Sequence, residues 1–166
     1  GRYRNSSDPA TDKCRECPKG YSQNSRGQLS CLPCVPGKFG NTTGMKTCHK
    51  CAIGKVSKLS FRTDCSDCEV GEYSDTEGSS SCQNCELGTY GKAPGQCEAC
   101  EPGKYQDARG MSECVPCPPD TWSIDTKVTS GAQCRRCSEF APHTMTSNRR
   151  GVSDPATGCV CGSAIW

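Results

Sequence analysis

Residues 31–51 read CLPCVPGKFGNTTGMKTCHKC, and this stretch decides the fold. It opens on one Cys-x-x-Cys pair, Cys31/Cys34, and closes on the next, Cys48/Cys51; Gly37 stands three places after Cys34, and Phe39 two places beyond. Outward from it, Cys14, Cys31, Cys48, Cys65 and Cys82 follow one another at intervals of 17 residues, each opening such a pair. Further pairs start at Cys97, Cys114 and Cys134, and the series ends on Cys159-Val160-Cys161. A fixed period means one small unit copied head to tail.

The other recurring positions give the unit a shape. Gly20, Gly37, Gly54, Gly71, Gly88 and Gly103 each follow the second cysteine of a pair by three. Glycine reaches positive φ without steric cost, so a tight turn is expected there. Two places on stands Phe39, Val56, Tyr73, Tyr90, Tyr105 or Trp122, with Tyr21 displaced by one, and these side chains are expected to cover the sulfurs. A second glycine, Gly27, Gly44, Gly78 or Gly110, marks the tip of a polar loop. The unit reads as a short β-hairpin, marginal alone in water and in need of a covalent tie.

Composition agrees. The chain has 166 residues and 18 cysteines, with only three Phe, two Trp and five Tyr, and no window is apolar enough for an amphipathic helix or a buried strand. Cysteine above about 10% marks a stapled scaffold, and stable disulfides place such chains outside the cytosol. Asn5-Ser-Ser and Asn41-Thr-Thr fit the N-glycosylation pattern, so N-linked glycans on Asn5 and Asn41 are expected. The net charge is +2, with both signs interspersed, which argues against a nucleic-acid partner; no apolar run is long enough to span a bilayer within this segment. Gly1-Arg-Tyr3 matches the Gly-x-aromatic of other units without its cysteine, so the chain reads as a segment of a longer polypeptide.

Spacing does not prove which cysteines join. Nested or interlocked pairing within two units would make a 34-residue repeat with unlike halves, which the sequence does not show. Joining the second cysteine of each pair to the first of the next keeps the 17-residue unit. That scheme links Cys17 to Cys31, Cys34 to Cys48, Cys51 to Cys65, Cys68 to Cys82, Cys85 to Cys97, Cys100 to Cys114, Cys117 to Cys134 and Cys137 to Cys159. Cys14 and Cys161 are left as outer ends. Each bridge over such a loop is worth about 3 kcal/mol, against about 2 kcal/mol for one buried aromatic.

The expected architecture is therefore small and disulfide-rich: tandem short β-hairpins stacked into an elongated rod, with little helix and no large hydrophobic core, each repeat touching only its neighbours. Residues 1–13 form a partial repeat and residues 14–117 the regular array. Residues 118–166, where Pro118-Pro119-Asp120 lacks the glycine and the loops lengthen, form an irregular module. Ser153-Asp-Pro-Ala-Thr157 echoes Ser7-Asp-Pro-Ala-Thr11 ahead of a cysteine.

Cys-x-x-Cys-x-x-Gly-x-Tyr, a glycine-bearing polar loop and the next Cys-x-x-Cys resemble the ephrin-receptor-like cysteine-rich repeats, related to EGF-like and growth-factor-receptor modules. The resemblance spans about Gly1 to Cys137 and implies an extracellular, non-catalytic, disulfide-bonded segment. Tumour-necrosis-factor-receptor modules resemble the chain less well at a strict 17-residue spacing.

Other chemistries fit the pattern poorly. A zinc ribbon would use Cys14/Cys17 with Cys31/Cys34 and would take the repeats in twos. A thioredoxin-like redox pair needs a single copy in a βαβ context, and haem attachment needs His directly after the second cysteine. His49 sits on a polar loop without a catalytic partner, and His143 has none evident. Glu69, Glu86 and Glu101 recur as a stripe that reads as a solvated face. No catalytic, metal or cofactor site is expected. The leading expectation is a structural or spacer segment of an extracellular or cell-surface glycoprotein, a subunit of a fibre or filament that self-assembles or meets matrix proteins. The alternative is a ligand-binding part of a receptor ectodomain, with Trp122 and Arg149-Arg150 on its specific surface.

Overall fold

The computed structural model describes residues 1–4 and 13–161; Asn5 and the Ser7–Thr11 echo lie outside the described residues. Among the described residues, eighteen short strands pair as nine two-stranded sheets, each a hairpin. Within residues 31–51, Lys38–Phe39 pairs antiparallel with His49–Lys50, Phe39 facing His49. The return strand is thus the two residues inside a Cys-x-x-Cys pair. Cys48 ends one hairpin and Cys51 begins the next. A two-residue strand holds such cysteines about 10 Å apart, beyond the span of a disulfide, so the two sulfurs of a pair serve successive hairpins.

The turn glycines explain where each hairpin starts. Lys38 N–H donates to the Val35 carbonyl at 3.0 Å, closing a four-residue turn around Pro36-Gly37. Gly37 has φ +82°, and Pro36 cannot itself take positive φ, so the turn is type II, with glycine at the position that demands it. Where the loop between cysteines is two residues shorter, in Cys85–Cys97, the hairpin runs on as Thr89–Ala93 against Gln96–Ala99 with one irregularity between Gly91 and Ala93.

Two compact units divide the chain, one of Gly1–Cys68 with Tyr73–Gln83, the other of Glu69–Glu72 with Asn84–Trp166. In the first, all structure is hairpin. The second adds a 3-10 turn at Gly131–Gln133, closed by a reciprocal Ser130/Gln133 capping box, and two four-residue helices, α1 (Cys137–Phe140) and α2 (Pro155–Gly158). Asp154 caps α2 by accepting from Ala156 N–H at 2.9 Å, with Pro155 in the first turn, which is what Ser153-Asp-Pro-Ala-Thr157 encodes. Trp122, Cys137, Val152 and Cys159 form a buried cluster in this unit. No described helix is long and apolar enough to cross a membrane.

Candidate functional site: a bridged turn and its docking column

Eight disulfides join Cys17–Cys31, Cys34–Cys48, Cys51–Cys65, Cys68–Cys82, Cys85–Cys97, Cys100–Cys114, Cys117–Cys134 and Cys137–Cys159. Their environment is asymmetric. The cysteine that opens each bridge is at most 1% exposed, whereas Cys31, Cys48, Cys65, Cys82, Cys97 and Cys114 are half-buried. Cys14 is an exposed free thiol. With Cys17, Cys31 and Cys34 in bridges, the zinc-ribbon set does not form; among the described residues no group of three His, Cys, Asp or Glu is placed to hold a metal.

The opening cysteine is buried because backbone closes over it from both sides. Its N–H donates to the turn glycine of the preceding hairpin: Cys34 to Gly20 at 2.8 Å, Cys51 to Gly37 at 2.9 Å, Cys100 to Gly88 at 2.9 Å, Cys117 to Gly103 at 2.8 Å. Its carbonyl accepts from the loop of the following hairpin: Cys17 from Gly44 and Cys51 from Gly78 at 2.8 Å in the first unit, Cys85 from Gly110 at 2.9 Å in the second. Of the glycines expected at the loop tips, Gly44, Gly78 and Gly110 are therefore docking points, whereas Gly27 faces open space. Elsewhere the same bond is made by Phe61 to Cys34 and by Lys127 to Cys100, each at 2.9 Å, and both take the left-handed backbone, with φ +67° and +58°. Phe61 then lays its ring on Tyr21, centroids 5.3 Å apart.

A second column went unread in the sequence. The residue after each aromatic position, Gln23, Gly40, Ser57, Ser74, Gly91, Gln106, Ser123 or Thr146, is buried throughout. At Gly40, Ser57, Ser74, Gln106 and Ser123 its carbonyl takes the N–H of the preceding turn glycine, as in Gly37 to Ser57 and Gly103 to Ser123, both 2.8 Å. Its own N–H points onward, Gly40 to Arg62 at 2.9 Å and Gln106 to Val128 at 3.0 Å. Buried polar groups must be paired, and the side chains comply. Gln23 and Gln106 make the same two bonds, donating to Ser30 and Glu113 carbonyls at 2.9 and 2.6 Å and accepting from Ser25 and Ala108 N–H at 3.0 Å. The restriction to Gly, Ser, Thr and Gln at the same repeat position was the available signal.

The close fit reaches further than adjacent repeats. A Cβ on Gly20 would strike the Phe61 carbonyl, and one on Gly37 the Gly78 carbonyl, each two hairpins away. The expectation that each repeat touches only its neighbours is corrected accordingly: the docking loop covers the next repeat back with its N–H and the one before that with its C=O.

Other singled-out residues fall as follows. The aromatic position is buried at Val56 and Trp122 but only half-buried at Phe39, Tyr73, Tyr90 and Tyr105. Trp122 is 7% exposed, edge-on to Phe140 at 6.3 Å with the Arg135 guanidinium over its ring at 5.5 Å; it clusters with Cys137 and Cys159, as its repeat position implies, and does not stand on an exposed surface as the receptor alternative has it. Arg149-Arg150 is exposed. His49 is exposed and stacks obliquely on Phe39 at 5.7 Å. Asn41 is exposed. Glu69, Glu86 and Glu101 are exposed, each accepting the turn's closing N–H through its backbone carbonyl.

Asp120 stands where the turn glycine is missing and adopts the glycine's conformation, φ +63°. Short polar side chains tolerate this region best. Its carboxylate compensates by accepting from Thr146 N–H at 2.9 Å, while its own N–H donates to the Thr146 hydroxyl at 2.8 Å, and Thr146 is fully buried.

Residues 54–96 and 88–134 each match the family model described as tyrosine-protein kinase ephrin type A/B receptor-like. No curated protein matches the chain. The family matches overlap in tandem and cover the turn glycines Gly54, Gly71, Gly88 and Gly103 and the bridges Cys68–Cys82, Cys85–Cys97, Cys100–Cys114 and Cys117–Cys134. Across residues 54–134, the chain is a tandem array of ephrin-receptor-like cysteine-rich repeats, a repeat class whose bridges and family point to an extracellular, receptor-type segment.

Proposed function

We propose that the chain is a non-catalytic spacer segment of an extracellular or cell-surface glycoprotein, holding its flanking parts at a set separation and contributing to a fibre or filament. The observation that carries this reading is the backbone docking that recurs within each unit: Cys34, Cys51 and Cys100 are each bonded to the turn glycine behind and the loop ahead, and Gly37, Gly54, Gly88 and Gly103 each donate to a column residue of the next hairpin, so these repeats are fixed against one another rather than left open around a cleft. Asn41, exposed beside the Thr43 hydroxyl that donates to Glu16 at 3.2 Å, is the position assigned an N-linked glycan, and Asn5 is the second. A spacer keeps its length under load and is cut slowly by proteases until its bridges are reduced. Electron microscopy of the parent protein tests this; repeats scattered in direction from particle to particle would reject the spacer.

A second reading is favoured by one observation. Residues 118–161 expose Phe140, Met145 and Val160 at 42–50%, and a cavity of about 430 Å³ there is lined by Asp120, Arg136, Ser138 and Met145. In a receptor ectodomain this would be the protein-binding face. Replacing Phe140 and Met145 while leaving the buried Trp122 in place is the clean test; a partner lost with the fold intact would support it.

A further inference from the structure

Charge is not interspersed along this chain. Between Glu16 and Asp64 lie eight Lys or Arg and no acidic residue, whereas residues 64–125 hold thirteen Asp or Glu and three Lys or Arg. Divided by unit, the first carries twelve cations and seven anions and the second eight and eleven, which corrects the even spread expected from the net +2.

The first unit also has a place for the excess to act. A groove of about 930 Å³ is lined by Arg2, Lys13, Arg26 and Lys46, with Glu16 its one carboxylate among the described residues. Glu16 is occupied, meeting Arg2 at 3.1 Å and the Thr43 hydroxyl at 3.2 Å. Lys13, Arg26 and Lys46 are exposed and have no acidic partner among the described residues. The rest of the described lining is the exposed Cys14 thiol with amide, hydroxyl and glycine, from Gln23, Asn24, Ser25 and Gly27, and it holds no aromatic or aliphatic anchor. Protein contacts built on apolar hot spots need such anchors; a groove of free cations and amides suits an anionic, hydrogen-bonding surface.

We infer that this groove docks the acidic repeats of a second copy of the chain. The occupant follows from charge complementarity: a soluble polyanion would account for the basic pole alone, whereas a second copy accounts for both. The inference rests on the extracellular-scaffold reading and supplies its lateral contact. Exposed ion pairs are individually weak, so association depends on how many act together and on ionic strength, the screening length falling from about 30 Å at 0.01 M salt to about 8 Å at 0.15 M.

Sedimentation velocity on the full 166-residue chain tests it. At about 20 mM salt the chain is expected to associate, and at about 300 mM to return to monomer, because screening is then nearly complete. Lys13→Glu/Arg26→Glu/Lys46→Glu is expected to abolish association, weakening it at least about tenfold, as an opposed cluster turns repulsive. Glu69→Lys/Glu86→Lys/Glu101→Lys is expected to do the same, and mixing the two variants should restore a heterotypic complex. All six sites are exposed, and non-reduced peptide mapping checks that the eight bridges are kept. A wild-type monomer at low salt, association indifferent to salt, or failure of the mixed variants to recombine would each overturn the inference. So would wild-type binding to dextran sulfate that the first variant loses while self-association persists, since the groove would then belong to an anionic polysaccharide. The spacer reading fails separately, on the electron-microscopic geometry of the parent protein.

Discussion

The hairpins from Cys17 to Cys114 and the bridges from Cys117 to Cys159 solve the same problem by different means. From Cys17 to Cys114, one sulfur of each bridge is buried and its partner half-buried, and what closes over the buried one is backbone: a turn glycine behind, a docking loop ahead. From Cys117 on, both cysteines of each bridge are buried, the enclosed loops lengthen to separations of 17 and 22, and side chains are added to the backbone closure that Cys117 still makes with Gly103 and Gly151, with Trp122 and Val152 packed on Cys137 and Cys159. A short loop leaves no residues to spare for a core, so glycines and hydrogen bonds carry the specificity. A longer loop brings its own apolar cover and can dispense with a glycine, as Asp120 does.

That contrast is most exposed to test at Trp122. Trp122→Ala removes the largest side chain of the module's cluster and should cost about 4 kcal/mol, read as lost hydrogen-exchange protection across residues 118–161 with residues 17–114 unchanged. The corresponding Tyr73→Ala, at a half-buried site, should cost about 1 kcal/mol. Equal losses would mean that the two regions share one kind of core.

In the regular repeats the glycine should be the weak point instead. Gly37→Ala adds a left-handed penalty of about 1–2 kcal/mol to a clash with the Gly78 carbonyl of about 1–3 kcal/mol, so about 3 kcal/mol is expected in denaturant unfolding. Gly27, also at positive φ but with open space for 4 Å around the position a Cβ would take, separates the two terms: Gly27→Ala should cost only about 1 kcal/mol. If both substitutions cost the same, docking contributes nothing beyond the turn.

Asp120 should fall between. Asp120→Gly keeps the backbone conformation and deletes the acceptor for buried Thr146, at about 2 kcal/mol. Asp120→Asn retains an acceptor and should cost less than half as much. Reduction follows the same division. Attack on a disulfide requires access to sulfur, so limiting dithiothreitol with alkylation should open the half-buried bridges ending at Cys31, Cys48 and Cys65 before Cys137–Cys159.

How much of this was legible depended on whether a position advertises itself by residue type. Cysteine period and turn glycine are absolute requirements of bridge and positive φ, and they led to the hairpin class directly. The docking column did not show, because Gln23, Gly40, Ser57 and Ser74 look like loop residues until their backbone partners in neighbouring repeats are known. Trp122 was legible as a cover for sulfur from its repeat position, but no local pattern told that Val152, thirty residues on, would join it. The second-glycine position was half legible, since Phe61 and Lys127 perform the glycine's bond without the glycine's signature.

Phe61 offers the finest discrimination between backbone and side-chain control. Phe61→Gly relieves left-handed strain worth about 1 kcal/mol and forfeits the tilted contact with Tyr21, worth about the same, the ring being 55% exposed. The two effects should cancel to within about 0.5 kcal/mol, a small shift in melting temperature. In a Tyr21→Ala background the ring contact is already gone, so Phe61→Gly should become stabilising by about 1 kcal/mol. If it is neutral in both backgrounds, the docking loop holds Phe61 at φ +67° without measurable strain, and the glycines at the equivalent positions are dispensable.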